Sequence, residues 1–431
     1  MRRFILVAVV TAGALAVWAF PAPDVESGAG NELPDPRPLS SRSNVWYCSG
    51  SDAETDPVLG AALPTAGRAE FSLPADGEFL DVFEERLTEP GVAEVDVGDG
   101  LRFHPGPALI EVSSSPSGAA VVLSGPSQLA GDSCQTAAKE WFLNAGTQGP
   151  VETLTLRLFN PLLEPARVSL QLMSEFGFEP LLDDARVLVG PRDWEDFDFG
   201  PLLGERDRVA IKVSAVEGVV IPSFSSVGPE GLAVWPGEGL SPNWEFPVAQ
   251  AEATSGIISL WNPGVVDATA SVSIIGTAGV VGNITVTVGA QREERIDLST
   301  VSDAEVGAVV TSDIPLAAAV LVKGPGGRAG STAAPRPVER WLVPANNLVG
   351  GLDYRVIVLN SSGDDVELLS RPIGSETANR VVLPAGTIRR LAIAGKGAEL
   401  TASGPVTVAW IVVGSSDLGI GLANPVVEVV P

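Results

Sequence analysis

The chain has 431 residues, 27 Lys and Arg against 53 Asp and Glu, a formal net charge of −26, and 45% hydrophobic against 19% charged residues. That balance belongs to a folded chain with a large apolar core and room for roughly two to four domains, far from the compositions of disorder. One His and two Cys nearly exclude zinc sites, which need about three or four such ligands, and the acidic excess argues against a nucleic-acid partner, whose phosphates are met by Lys and Arg.

Arg2 and Arg3 precede the 17-residue apolar stretch Phe4–Phe20, broken only by Thr11 and Gly13, and Asp24 and Glu26 follow it. Positive charge before and negative after orient such a segment with its N-terminus in the cytoplasm. As a helix it spans about 26 Å, near the lower limit for a bilayer, yet it exceeds the roughly 7–15 residues of a signal-peptide core. Ala14-Leu15-Ala16 fits a cleavage site by type but lies inside the apolar run. Residues 1–23 are therefore expected to be an uncleaved transmembrane anchor, with a removed signal as the alternative and a buried N-terminal helix as a third. Either of the first two sends residues 24–431 outside the cytoplasm, secreted if the segment is cleaved. Residues 24–43, rich in Pro, Ser, Gly and Asp, read as a solvated linker.

Beyond the linker the chain repeats. Trp46, Trp141, Trp244 and Trp341 are spaced 95, 103 and 97 residues apart. Behind the last three an alternating strand runs into an asparagine: Leu154–Asn160, Ile258–Asn262 and Tyr354–Asn360. Pro161 and Pro263 follow the first two and Ser361 the third. Asparagine closes a strand well because its side chain bonds the backbone two residues on, and proline pins the turn. A second alternating strand and Val-rich strands follow. Each unit ends in two strands around a short turn, as in Arg208–Phe224, Glu305–Val322 and Ala398–Val413. The first unit shares this ending (Ala108–Leu123) and the opening Trp but lacks the Asn-Pro strand end.

Short alternating strands between Gly, Pro, Asn and Asp turns suit a two-sheet antiparallel sandwich, and the period is too long for a solenoid of roughly 20–50 residues. The expected fold is all-β: four tandem immunoglobulin-like antiparallel β-sandwich domains at 44–136, 137–239, 240–336 and 337–431, projecting as a stiff row. A propeller with two four-stranded blades per repeat is the rival, short of strands. The recurring Trp is expected to pack between sheets or against the preceding domain. Trp194 and Trp235 fall outside the pattern and are the candidates for a ligand contact, such as stacking on a sugar. Cys48 and Cys134, both in the first unit, suggest a disulfide closing an 87-residue loop in an exported chain. Two free buried thiols are the alternative.

This layout resembles a family of uncharacterised actinobacterial secreted or membrane-anchored proteins known as a domain of unknown function. The resemblance is carried by the apolar N-terminal segment, Trp46-Tyr47-Cys48, Cys134 before Trp141, and the strand ends Asn160-Pro161 and Asn262-Pro263. It covers roughly residues 40–431 and implies no activity. The chain's four lysines (Lys139, Lys212, Lys323 and Lys396) are far outnumbered by arginine, as a GC-rich genome would give.

Residues that could carry chemistry are few. His104, in Arg102-Phe103-His104-Pro105, has no Gly-x-Ser-x-Gly partner motif and reads as a loop residue. Gly324–Gly330 is Gly-rich but lacks the Lys-Ser/Thr of a phosphate loop and reads as the loop leaving a terminal strand. Asp193-Trp194-Glu195-Asp196-Phe197-Asp198 concentrates four acids in six positions. As a strand it sets Trp194, Asp196 and Asp198 on one face and Asp193, Glu195 and Phe197 on the other. Three readings stay open: a solvated edge that discourages aggregation, a Ca²⁺ site built on Asp193, Glu195, Asp196 and Asp198, and a carboxylate pair acting on a glycosidic bond. The function expected from all this is non-enzymatic: a membrane-anchored cell-envelope scaffold or interaction module whose partner is an envelope protein or a glycan. The alternative is a carbohydrate-binding accessory to envelope glycan assembly.

Overall fold

The computed structural model describes residues 44–426 apart from 51–54, 76, 98–105, 127, 180–185 and 253. The expected anchor and linker (1–43) and His104 lie outside those residues. Among the described residues no helix is long and apolar enough to cross a membrane. They form antiparallel β-sheet almost throughout, with one four-residue helix, Gly200–Leu203.

The strands assort into successive pairs of facing sheets. In the first pair one sheet runs Val45–Cys48, Ala108–Val112, Gly67–Ala75, Glu78–Leu87, and the other Gly91–Asp96, Asp56–Leu63, Gly118–Ser124, Leu129–Ser133. In the second, Asp193–Asp198, Thr153–Asn160, Ile221–Gly228 and Gly231–Pro236 face a sheet of Gly177–Phe178, Ala166–Ser174, Arg206–Glu217 and Glu140–Gln148. The third and fourth pairs keep this plan with one change. Val306–Gly324 belongs to both sheets of the third pair, its first part pairing with Ser241–Gln250 and Ala268–Gly276 and its last part with Ser255–Asn262 and Gly327–Thr332. Ala398–Val413 does the same in the fourth. The short turn expected inside these two stretches is therefore absent. In the second pair Gly218, at φ +77°, breaks the chain between the two strands; the corresponding stretch of the third pair has no residue at positive φ before Gly324, so extended backbone simply crosses from one sheet to the other.

The four recurring tryptophans are all buried, and each ring N–H finds an acceptor: Ser117 Oγ for Trp46 at 3.0 Å, and the carbonyls of Ala138, Leu316 and Val406 for Trp141, Trp244 and Trp341 at 3.1, 2.9 and 2.9 Å. Asn160, Asn262 and Asn360 are also fully buried. Each side-chain oxygen accepts the N–H two residues on, at 2.9–3.1 Å. Each amide then donates to the carbonyl four residues on and to the last residue of a strand in the facing sheet, Val189, Val288 or Leu383. One side chain thus closes its own turn and staples two sheets.

The core explains why the sheet pairs do not stand in a row. A strand has two faces, and in the last two strands of each pair residues of both are buried. Ala119, Val121 and Leu123 point into the first pair's own cluster, while Ala120 and Val122, between them, pack with Val58 and Leu129 into the cluster of the fourth pair. Leu232 and Val234 of the second pair complete the first cluster. Ala319 and Leu321 of the third complete the second, and Ala409, Ile411, Leu418 and Ile420 of the fourth complete the third. The cycle closes. Each large aliphatic side chain buried this way is worth about 1.5–3 kcal/mol, so separating the pairs would expose a face of every one. The described residues accordingly form one compact unit, and the stiff row expected from the sequence is replaced by a closed ring. At its centre the closing strands meet: Leu129–Ser133 packs on Gly231–Pro236 and Leu418–Leu422, and Gly327–Thr332 packs on the same two.

Candidate functional site

The acidic stretch is the edge strand of its sheet, paired along Thr153–Asn160 with Phe159 opposite Trp194 and Arg157 opposite Asp196. The alternation separates its acids onto two faces, and Asp193, Asp196 and Asp198 are engaged locally while Glu195 is exposed. Arg157, nearly buried, donates Nε and Nη2 to Asp196 at 2.7 and 2.6 Å. Asp198 accepts the Gly200 N–H at 2.8 Å and Asp193 the Trp194 N–H at 2.9 Å. Among the described residues no group of three or more His, Cys, Asp or Glu could hold a metal. The expected Ca²⁺ site at Asp193, Glu195, Asp196 and Asp198 is thus corrected: a strand cannot turn consecutive carboxylates to one centre.

Trp194 is half-buried beneath the Arg157 guanidinium, 5.7 Å from the ring centroid. Trp235 sits on the opposite edge of the same sheet and is 1% exposed. Its ring N–H donates to the Asn144 carbonyl at 3.0 Å, and Phe224 meets it edge-on at 5.5 Å. A Cβ on Gly330 would stand 2.4 Å from that ring, so the indole is sealed under a glycine and has no face for a sugar. The two tryptophans expected as ligand contacts do not share a cleft. Cys48 and Cys134 form a disulfide, with S–S 2.00 Å.

What the fold does bring together is a set of turns. Each closing strand is entered through a hairpin: Ser124 to Leu129, Gly228 to Gly231, Gly324 to Gly327, and Val413 to Leu418. Because the closing strands pack side by side, the four turns converge on one open cavity of about 640 Å³. Gln128 lines it from the first turn, Pro229 and Glu230 from the second, Pro325 from the third, and Ser416 and Asp417 from the fourth. The Gly-rich run beginning at Gly324 is thus a turn and closing strand at this mouth, as its reading as a strand-leaving loop half anticipated.

The mouth is built on close approach. A Cβ on Gly231, itself at φ +116°, would stand only 3.1 Å from Asp417 Oδ1, a tight contact that the Asp417 side chain would have to yield. Beneath Gly228 lies Arg328, fully buried. Its Nη2 bonds Glu152 and Ser226 Oγ, the latter at 2.9 Å, and its Nη1 stands 3.6 Å from Glu230 Oε2. Nε and Nη1 of Arg328 meet no hydrogen-bond acceptor, and neither does Gln128 Oε1 meet a donor. Burial pushes the Asp417 carboxyl above its ordinary range. A smaller cavity of about 300 Å³ between the first and fourth pairs is lined by Pro64, Pro90, Arg371, Glu376 and Glu399, where Arg371 and Glu399 already form an ion pair that Arg340 joins.

Sequence reasoning missed the mouth because its residues are about a hundred positions apart. A signal existed in the recurring turn dipeptide Gly125-Pro126, Gly228-Pro229 and Gly324-Pro325, with Gly414 at the fourth position.

The chain belongs to a family of unknown function, DUF5719, whose model matches residues 117–388. No curated protein matches it. Solved structures with which it aligns include a tetra-tandem repeat in the extending region of a large adhesion protein (11% identity, 89% of this chain and 99% of that one, TM-score 0.11). Others are the chicken CNTN1 FN1–FN3 domains (10% identity, 64% and 94%, TM-score 0.12) and a Streptomyces avermitilis α-L-rhamnosidase complexed with L-rhamnose (10% identity, 85% and 55%, TM-score 0.12).

Proposed function

We propose that this member of DUF5719 is a non-enzymatic, extracytoplasmic interaction module of the cell envelope, held at the membrane by residues 1–23. In this reading the four sheet pairs are immunoglobulin-like domains with boundaries at 136, 239 and 336, fused into one body. The recurring buried Trp and strand-closing Asn are the structural signature that the sequence shares with its actinobacterial relatives. The observation that carries the reading is the convergence of four equivalent turns on one mouth. A ring closed by shared cores offers a pre-organised contact surface without the ordering cost that mobile loops impose on binding. Two further facts support the reading: both cysteines of the chain are in the disulfide, as suits an exported protein, and polar side chains from three of the four turns, Gln128, Glu230, Ser416 and Asp417, line the mouth.

Location is the sharpest test. Lys139 and Lys396 are exposed, so a membrane-impermeant amine reagent should label the protein on intact cells. Labelling only after lysis would sink the proposal.

A further inference from the structure

We propose that the chain pairs with a second copy of itself along a free sheet edge of the third pair. The strand Gly279–Val288 ends its sheet, hydrogen-bonded to Ala268–Gly276 on one side. Among the described residues no strand pairs with its other side. Its ten residues hold no charge and no proline. Natural sheets blunt an exposed edge with charge, proline, brevity or a bulge, because its unpaired N–H and C=O groups are a template for another strand. The corresponding edges of the other pairs are blunted in this way. Glu78–Leu87 carries charges of both signs, and Arg186–Val189 and Asn379–Leu383 are short and each holds an arginine. Gly279–Val288 has only a bulge at Val281, since Ile274 lies opposite Gly282 and Ile275 opposite Val280. Gly282–Val288 remains a regular run. The fourth pair reaches this hairpin at Ile275, which packs with Leu359 and Ile388, at the end away from Val288.

The occupant that suits this edge is another like it. Two chains of net charge −26 repel one another, so contact is least opposed where neither brings a charge. The run is also complementary to itself. Pleating turns Ile284 and Val286 inward, half-buried against the third core, and leaves Asn283, Thr285 and Thr287 exposed. In an antiparallel pair centred on Thr285, Ile284 stands opposite the partner's Val286, and Asn283 opposite the partner's Thr287. Each half-buried aliphatic side chain then gains an aliphatic neighbour and each exposed one a polar neighbour, while main-chain hydrogen bonds supply affinity. A Cβ at Gly282 would meet only Ile274 Cδ1, 3.7 Å away, which leaves space for the partner's Val288.

The test is sedimentation velocity on the full-length chain in detergent, with the variants T285K and T285C. The unaltered chain is expected to dimerise. T285K sets two lysines face to face at the centre and should weaken association tenfold or more, with far-UV circular dichroism unchanged. Both of the chain's own cysteines are in the Cys48–Cys134 disulfide, so oxidised T285C should run as a covalent dimer, while E195C on the acidic edge should not. That cross-link keeps the test available should T285K fail to fold. A chain monomeric at every soluble concentration overturns the inference, even if the edge accepts an unrelated strand. So does a dimer that a folded T285K leaves intact, or a T285C chain that cross-links no better than E195C. These outcomes leave the mouth untouched, and labelling on intact cells judges that reading separately.

Discussion

The first sheet pair and the three that follow solve one problem with different chemistry. In the later pairs Asn160, Asn262 and Asn360 end a strand opposite Asp193, Arg292 and Thr387 and staple the facing sheets through hydrogen bonds. In the first pair the same register position, opposite Gly91, is held by Leu63, which is fully buried and can bond nothing. There the two sheets are tied by the disulfide, since Cys48 ends a strand of one sheet and Cys134 follows the closing strand of the other. Asp132, in that closing strand, adds a second tie by accepting a hydrogen bond from Ser49 Oγ at 2.5 Å. A covalent link or a buried amide can each hold a sandwich shut; the difference is that one depends on redox conditions and the other does not.

The comparison is broken most forcefully at the disulfide. Replacing Cys48 and Cys134 with Ser removes a link across a sequence separation of 86 and should cost about 4 kcal/mol. Because Val58, Ala120, Val122 and Leu129 of the first pair complete the fourth cluster, loss of amide-exchange protection should spread to the fourth pair and spare Asn262 and its surroundings. Protection lost equally everywhere would contradict the pairwise handover of cores.

Next comes Asn262→Ala, which strips the Val266 and Val288 carbonyls and the Gly264 N–H of their partner. At about 1 kcal/mol or more for each buried group left unpaired, denaturant unfolding should show a loss of about 2–3 kcal/mol, insensitive to reductant.

The acid tie sharpens the contrast through pH. Burial, with Glu238 adding to it, pushes the Asp132 carboxyl up to about 8, against hydrogen bonds from Ser49 and the Ser133 amide that lower it. The folded chain therefore holds this proton longer than the unfolded chain, whose carboxyl titrates near 4. The stabilisation is complete below about pH 4 and is lost as pH rises toward about 8. Glu245, pushed up by burial at the interface of the third and fourth pairs, works in the same direction. Melting temperature should fall across that window, and Asp132→Asn should flatten the slope; an unchanged slope in this variant would remove Asp132 from the explanation.

The smallest effect is expected at the acidic edge. Asp193→Asn with Glu195→Gln should move stability by no more than about 0.5 kcal/mol, as for surface substitutions generally, and the melting temperature should ignore both Ca²⁺ and chelator. A calcium-dependent rise would reopen the metal site.

Much of this molecule was legible along the chain because the relevant physics is local. Alternation with period two sets which side chains of Leu154–Asn160 or Ala166–Leu172 face inward, Asn-Pro marks where a strand must stop, and a buried Trp needs an acceptor within a few residues or across one sheet. The same local logic made the acidic segment a strand with alternating faces and offered the edge reading that its place at the end of the sheet fits; the metal and catalytic readings needed convergence in space, which density of carboxylates along a strand does not give. Only the tertiary structure decided that Ala120 and Val122 serve a different core from Ala119, Val121 and Leu123, although the unbroken apolar run Gly118–Leu123 carried a hint, being what a strand buried on both faces requires. Sequence settled the β-strand character, because it rests on short-range pattern, and the count of two cysteines left one pairing within the chain. The closed ring and its mouth depend on which surfaces find each other across hundreds of residues, and that choice is made by the summed burial of faces, which no single stretch of the chain contains.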